Sequence, residues 1–354
     1  MAITIGGPWI AAHGPDTDVV LSCRARIARN IAGFPFVNQA SESECREIMR
    51  LSRRVVDESG AVPSIMWIDV ETTDEINRGL LVERHLISGQ LAEANGCRGV
   101  AVSRDESLSI MVNEEDHLRM QVLAAGSQLP ALHKRLDGID DAIEKHLDYA
   151  FDKRFGYLTA CPTNAGTGVR FSVMMHLPAL KITGDIDRVR RAAGDMHLAV
   201  RGYYGEGSES AGDFYQVSNQ VTLGVSEEDI LHELSEVIVP RMIEYERSAR
   251  RILLDRNRRE VEDRVFRALG ILRSARLLEP NETMKMLSRV RLGAWMGLIE
   301  DISRDTINRL FLDIQPAHVR LWLDARRGED APAPARRDLR SARADLVRER
   351  LDAE

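Results

Sequence analysis

Over the first two thirds of the chain, apolar residues come in short runs of strand length. "DVVLSCRARIARN", "SIMWIDV", "GVAVSRDESLSIMVN", "RFSVMMHLPAL" and "DFYQVSNQVTLG" each set β-branched or large apolar side chains between charged or turn-forming residues. The runs at 100–103 and 108–113 flank a polar Arg-Asp-Glu-Ser connection and predict a hairpin. No regular alternation of strand and helix occurs between residues 18 and 224. Antiparallel neighbours in an α+β domain are therefore expected, rather than a doubly wound sheet.

The pattern changes at Ser226. This residue, followed by Glu227, Glu228 and Asp229, reads as a helix N-cap with an acidic first turn, and Ile230, Leu234, Val237 and Ile238 then recur at helical spacing. Pro240 predicts a kink or division in the helix that begins at Ser226, and helical periodicity continues over about 249–272, 282–299 and 305–312. "GEDAPAPARR" predicts a linker before a short charged helix. The expected organisation is a catalytic domain over 1–245 and a helical domain over 246–354. The helical stripes must be covered by the first domain or by a second copy of the chain, and periodicity leaves both open.

At 354 residues and 44% hydrophobic content the chain can bury a sizeable core. A net charge of -7 excludes a general nucleic-acid binder. That charge is uneven: roughly -12 falls in residues 1–240 and roughly +5 in the rest, so the C-terminal part is suited to meet something acidic. Cys23, Cys45, Cys97 and Cys161 form no C-x-x-C pair, which argues against a disulfide framework or zinc knuckle and for a reducing cytoplasm. The start lacks a basic segment followed by an apolar one, and no run of about 18 apolar residues occurs, so a soluble chain that is neither exported nor membrane-bound is expected.

Candidate chemistry is concentrated in four segments. In "SCRARIARN" a strand would put Arg24 and Arg26 on one face. In "VNEEDHLRMQ" the adjacent carboxylates Glu114 and Glu115 follow an apolar strand, and in an extended continuation Glu115, His117 and Arg119 would share a face. "CPTNAGTGVRFSV" joins a glycine-punctuated loop, whose N–H groups can approach an anion, to Arg170 at the entry to a strand; no Walker lysine is present. Cys161 there is either a thiolate held by arginines or an inert thiol. "RGYYGEGSESAGDFY" places Arg201 and Glu206 in one loop able to close over a substrate. Five arginines and two carboxylates are the inventory that phosphoryl transfer requires: permanent cations for a polyphosphate and acids to align the acceptor.

In this order the four segments resemble the signature segments of the guanidino phosphotransferases, over roughly residues 18 to 225. Because the first arginine motif stands about twenty residues in, the chain is expected to lack the helical N-terminal domain of creatine and metazoan arginine kinases. The forms "GYLTACPTNAGTG", "MMHLPAL" and "QVSNQVTLG" are similar to those of the bacterial protein arginine kinases, the McsB type. The resemblance implies a phosphagen-kinase catalytic domain with a large, glutamine-synthetase-like antiparallel sheet flanked by helices, then an all-helical C-terminal domain. It implies ATP and Mg²⁺, and arginine side chains of proteins as acceptors. By similarity Arg24, Arg26, Arg119, Arg170 and Arg201 hold the ATP phosphates, Ser22 and His85 lie near the nucleotide, and Ser172, Met174 and Gly205 line it. Small-molecule kinases carry a histidine where this chain has Met174. Glu115 and Glu206 would carry catalysis, Cys161 would sit beside the acceptor guanidinium, and Glu114 would reach the metal through water.

Near the C-terminus the related kinases read "RDxxRA" as a phosphoarginine-docking motif. Here it becomes Arg337, Asp338, Leu339, Arg340, Ser341 and Ala342, so Ser341 departs from it, with Arg340 or Arg343 as substitutes. The resemblance further implies a homodimer, a zinc-binding activator protein and delivery of marked proteins to an ATP-dependent protease. Two alternatives stand beside this reading: a phosphagen-type kinase acting on a free guanidine such as arginine, and a weakly active adaptor that reads phosphoarginine.

Overall fold

Strands form where the short apolar runs predict them, and they pair into a single main sheet. The computed structural model describes residues 7–195, 198–202, 211–327 and 335–352. The strands are β1 (Val20–Arg29), β2 (Ile65–Asp69), β3 (Gly99–Ser103), β4 (Leu108–Val112), β5 (Leu118–Ala125), β6 (Phe151–Asp152), β7 (Gly156–Tyr157), β8 (Val169–His176), β9 (Leu198–Gly202) and β10 (Phe214–Asn219). Among the described residues an eight-stranded sheet runs β2-β3-β4-β5-β1-β8-β10-β9, and β6-β7 form a separate small hairpin. Every neighbouring pair of the main sheet is antiparallel, and the predicted 100–113 hairpin is β3-β4.

Six helices interleave with these strands: α1 (Glu42–Ser59), α2 (Glu75–Glu83), α3 (Gly89–Glu93), α4 (Leu129–Glu144), α5 (Pro178–Thr183) and α6 (Ile186–Asp195). The alternation within β1 decides how they pack. Cys23, Ala25 and Ile27 are buried on the side covered by α4, whose leading amide at Gln128 donates to Cys23 Sγ at 3.2 Å. The other side of β1 is left with Ser22, Arg24 and Arg26, all half-buried.

Six more helices follow: α7 (Glu227–His232), α8 (Val239–Ser274), α9 (Pro280–Trp295), α10 (Arg304–Asp313), α11 (Pro316–Arg327) and α12 (Arg336–Asp352). Ser226 caps α7 by accepting from Asp229 N, as predicted. The helical run that starts at Ser226 is divided just ahead of Pro240: a wide π-type turn over residues Glu233–Ile238 separates α7 from α8, whose opening positions hold Pro240. A further kink falls at Asn257 (φ -133, ψ 31), whose side chain donates to Glu260 at 2.6 Å.

A buried polar seam ties these helices to the sheet. Arg291 of α9 donates to Thr17 O (2.6 Å), Asp18 O (3.1 Å) and Asn308 Oδ1 (3.0 Å), and its Nη1 lies 2.7 Å from His176 Nδ1. His176 must accept there, so its Nε2–H donates to Ser288 Oγ (2.9 Å), which in turn donates to Asp213 (2.9 Å). Glu246 of α8 accepts from the first amides of α5, Ala179 N and Leu180 N, and from Arg250 Nε. Around this seam one apolar core continues from Val173 and Phe214 of the sheet to Leu287 and Phe311 of the helices.

Two outcomes follow for stability. Glu246→Ala should lower the unfolding free energy by about 3 kcal/mol, because it leaves two helix amides without an acceptor and leaves the buried Arg250 guanidinium with Asp18 as its one remaining carboxylate among the described residues, as urea denaturation would measure. His133 of α4 pairs with Glu227 of α7 at 2.9 Å, which raises its pKa above 6.5. A raised folded-state pKa stabilises fully below 6.5, and the gain fades as pH rises through the folded value. His133→Gln should therefore lower the melting temperature at pH 6 and leave it unchanged at pH 9.

Candidate active site

The sheet register gathers the arginines predicted from separate motifs. On β1, Arg26 stands opposite Gln121 of β5 and Arg170 of β8, Arg24 opposite Leu123 and Ser172, and Ser22 opposite Ala125 and Met174, while Arg119 pairs with Ala28. Directly opposed residues share a face, so Arg24, Arg26, Arg119 and Arg170 point to the same side of three adjacent strands. Among the described residues, Arg24 and Arg26 make no hydrogen bond or ion pair. Burial, then Arg170 and Arg119, bring the Arg24 guanidinium down to about 10. Burial, then Arg119, Arg24 and Arg170, push Arg26 well below its ordinary value, with Glu114 opposing. Such a cluster wants an anion. By contrast Arg29, the last arginine of the same strand, is consumed structurally: it binds Asp140 and Thr167 O and stacks 3.5 Å from the Tyr157 ring centroid.

The carboxylates come on a bend, not on the extended continuation expected. Asn113 takes a left-handed conformation (φ 59) and pins the bend by donating to Cys45 O and Cys97 O. Glu114 is buried, accepts from Ser88 Oγ (2.6 Å) and Glu115 N (3.0 Å), and is ion-paired with Arg119 Nη1. Burial raises its pKa, but Arg119, Ser88, the Glu115 amide and Arg26 together hold it below the usual carboxylate value. Glu115 is more exposed and pairs with Arg119 Nη2 at 2.6 Å. His117 does not join them. The bend turns it inward, where Nδ1 accepts from Ile31 N and Nε2 donates to Pro35 O, both at 2.9 Å, so it is a structural histidine.

A cavity of about 320 Å³ opens over the arginine face, lined by Ser22, Arg24, Arg26, His85, Ser172 and Met174 among others. Sequence reading missed several of its walls, Ser88, Glu83, Gln216 and Gln315 among them. Ser88 is the N-cap of α3 and also the donor to Glu114, a dual use that no local pattern announces. Gln216 reaches the cavity because it lies across from Met174, and Gln315 comes from the link between α10 and α11. Glu83, also in the wall, accepts from Ala317 N (2.7 Å), His318 N (3.1 Å) and His318 Nδ1 (2.6 Å), so it caps α11 from across the molecule. His85, with φ 58, packs edge-on against Trp9.

The remaining predicted residues are placed differently. Arg201 belongs to strand β9, opposite Gln216, and not to the loop expected for it, because "LAVRG" pairs with β10. Glu206 and Gly205 lie outside the described residues. Cys161 is half-buried with Sγ 3.0 Å from Thr163 Oγ1, and its loop is tied to the acidic bend by Ala160 N donating to Asp116 (2.8 Å). Gly166 (φ 104) serves packing and not an open amide: a Cβ there would meet Thr222 O at 2.2 Å, and its N–H goes to Tyr157 O. In α12, Arg337 is exposed, Asp338 accepts from Ala335 N, and Ala342 is buried. The suggested substitutes are engaged elsewhere, Arg340 with Glu279 (3.1 Å) and Arg343 with the carbonyls of Ile314 and Leu278.

Donors for a metal are few in this cavity. Among the described residues the one cluster with metal-ligand spacing is His133, Asp137 and Glu227, none of which lines it. Glu114 is already engaged by Arg119 and Ser88, which fits contact with a hydrated Mg²⁺ through water and not direct ligation.

Comparison with known proteins gives a consistent result. Residues 47–249 match the model of the ATP:guanido phosphotransferase C-terminal catalytic domain, and residues 258–354 match that of the protein-arginine kinase McsB C-terminal domain. The protein-arginine kinase of Brevibacillus brevis is 47% identical over 346 residues, 97% of this chain and 94% of that protein. That of Halothermothrix orenii is 43% identical over 346 residues, 97% and 96% of the two chains. The duplicated taurocyamine kinase of Schistosoma mansoni, solved with bound transition state analog components, superposes with a TM-score of 0.59 at 28% identity. That alignment covers 67% of this chain and 34% of the taurocyamine kinase.

The electrostatics of the cavity can be read at His85. Burial, then the charge of Arg24, lower its pKa to about 4, so the imidazole is neutral at pH 7. An NMR titration should place its midpoint near that value. Arg24→Gln should raise the midpoint yet leave it below 6.5, since burial is the larger cause.

Proposed function

The chain belongs to the ATP:guanido phosphotransferase family, and we propose that it is a protein arginine kinase, moving the γ-phosphate of ATP onto arginine side chains of proteins. One observation carries the reading: four guanidinium groups on one sheet face, two of them without an ion pair among the described residues, border a bend that presents Glu114 and Glu115. A polyphosphate supplies the missing negative charge.

Arginine is a poor nucleophile because its guanidinium pKa exceeds about 12, so a base must act as attack proceeds. In our reading Glu115 accepts the proton of the attacking nitrogen, a P–N bond forms, and the bond from the γ-phosphorus to the β–γ bridging oxygen breaks, its electron pair leaving with ADP. Arg119 now neutralises both Glu114 and Glu115. Phosphate drawn in by Arg24 and Arg26 competes for that guanidinium and leaves Glu115 to the acceptor. Glu206 is proposed to grip the other acceptor nitrogens, and Cys161 to stand beside them. Arg170, Arg201, Ser22, His85, Ser172, Met174 and Gly205 complete the nucleotide site in this proposal. Mg²⁺, when bound, adds charge to the phosphate oxygens, with Glu114 contacting its water shell.

Protein acceptors are favoured over free guanidines by the relatives named protein-arginine kinase and by the matching C-terminal region. To the same reading belong a catalytic region to residue 245, a helical region over 246–354 with phosphoarginine docking at Arg337, Asp338 and Ala342, a homodimer, a zinc-binding activator, an ATP-dependent protease and a cytoplasmic setting. Among the described residues no helix is long and apolar enough to cross a membrane.

Incubation with labelled ATP and either an unfolded protein or free arginine tests the assignment. Acid-labile phosphate is expected on the protein, and label on free arginine alone would favour the small-guanidine kinase. Glu115→Gln and Arg170→Gln should each lower turnover about 100-fold or more, with folding checked by circular dichroism. Undiminished phosphorylation by Glu115→Gln would overturn the assigned base.

A further inference from the structure

A second cavity, of about 420 Å³, opens between α5, α8 and α9 and shares no lining residue with the first. Four cations surround it: Lys181 of α5, Arg264 of α8, and Lys285 and Arg289 of α9. Helical spacing explains the convergence, because Val261, Arg264 and Val265 share one face of α8, and Lys285, Arg289 and Leu292 share one face of α9. The apolar members of both sets are buried and form the floor. Among the described residues its one lining carboxylate, Asp213, is committed to Lys181 (2.6 Å) and to the Ser288 hydroxyl (2.9 Å).

Arg264 and Lys285 are exposed and Arg289 is half-buried, so all three can reach a ligand from the rim of the cavity. On α8 the exposed Arg258 pairs with Glu262 (2.8 Å) and Arg267 with Asp263 (3.0 Å), whereas the exposed Arg241, Arg251, Arg256 and Arg259 have no ion pair among the described residues. Arg264 has no ion pair or hydrogen bond among the described residues, and neither has Lys285 or Arg289. Three cations with no partner among the described residues thus meet at one concave site over an apolar floor.

We propose that this cavity binds a phosphate monoester with a short aliphatic body. The dianionic head sits among Arg264, Lys285 and Arg289, where several cations match more than one negative charge, and the body lies on Val261, Val265 and Leu292. Nothing in the transfer reaction uses this site, so the proposal stands apart from the kinase assignment.

Calorimetric titration of the full chain tests it, with a non-hydrolysable ATP analogue and Mg²⁺ saturating the first cavity and with about 0.15 M NaCl present to screen weak surface association. Orthophosphate and n-butyl phosphate are the probes. Saturable binding is expected for both, with butyl phosphate about tenfold or more tighter, because its methylenes leave water for the apolar floor. The exposed-site double variant Arg264→Gln/Arg289→Gln, verified as folded by circular dichroism, should bind both about tenfold or more weakly. Absence of saturable binding, butyl phosphate no tighter than orthophosphate, or undiminished binding by the double variant would each overturn the proposal.

Discussion

Like charges forced together on a rigid surface are the constraint around which this molecule is arranged. Two unit charges about 6 Å apart at an effective dielectric constant of about 20 oppose each other by about 3 kcal/mol, a sizeable share of a domain's net stability. Arg24, Arg26, Arg119 and Arg170 bear several such terms at once. A loop would relax them apart. A central strand with hydrogen-bonded neighbours on both sides cannot, and the buried opposite face of β1 holds it to α4. Glu114 relieves the repulsion only in part, and the remainder is the attraction offered to an incoming anion.

How much of this was legible beforehand depended on the range of the interaction. The pairing of Arg24 with Arg26 follows from strand periodicity alone, and so does the buried row beside them. The acidic bend was not legible, because Asn113 adopts a left-handed conformation that turns His117 into the protein instead of along the strand. The glycines and tyrosines that follow Arg201 predict a loop, although Leu198, Ala199 and Val200 before it are apolar and pair with β10. Glu83 and Gln315 were invisible for a simpler reason: they meet across more than two hundred residues, and no local pattern encodes such a meeting.

The helical region showed the same division. Its stripes, the Ser226 cap and the division ahead of Pro240 were readable, but not the further kink at Asn257, which no proline or glycine marks. The seam beneath it is polar and directional. Arg291, His176, Ser288 and Asp213 form one ordered chain of donors and acceptors whose proton positions are fixed by the first arginine. Such a chain admits one docking angle between helices and sheet, where apolar surfaces alone would admit several.

The cap on α11 has its own consequence. Glu83 is at once a wall of the arginine cavity and the acceptor for the opening amides of a helix that begins more than two hundred positions later, and Gln315 closes the same wall. Remove the last forty residues and the cavity loses a side, while a carboxylate loses three donors. The pocket is thus not a portable module carried by the sheet; its outline is written jointly by both ends of the polypeptide.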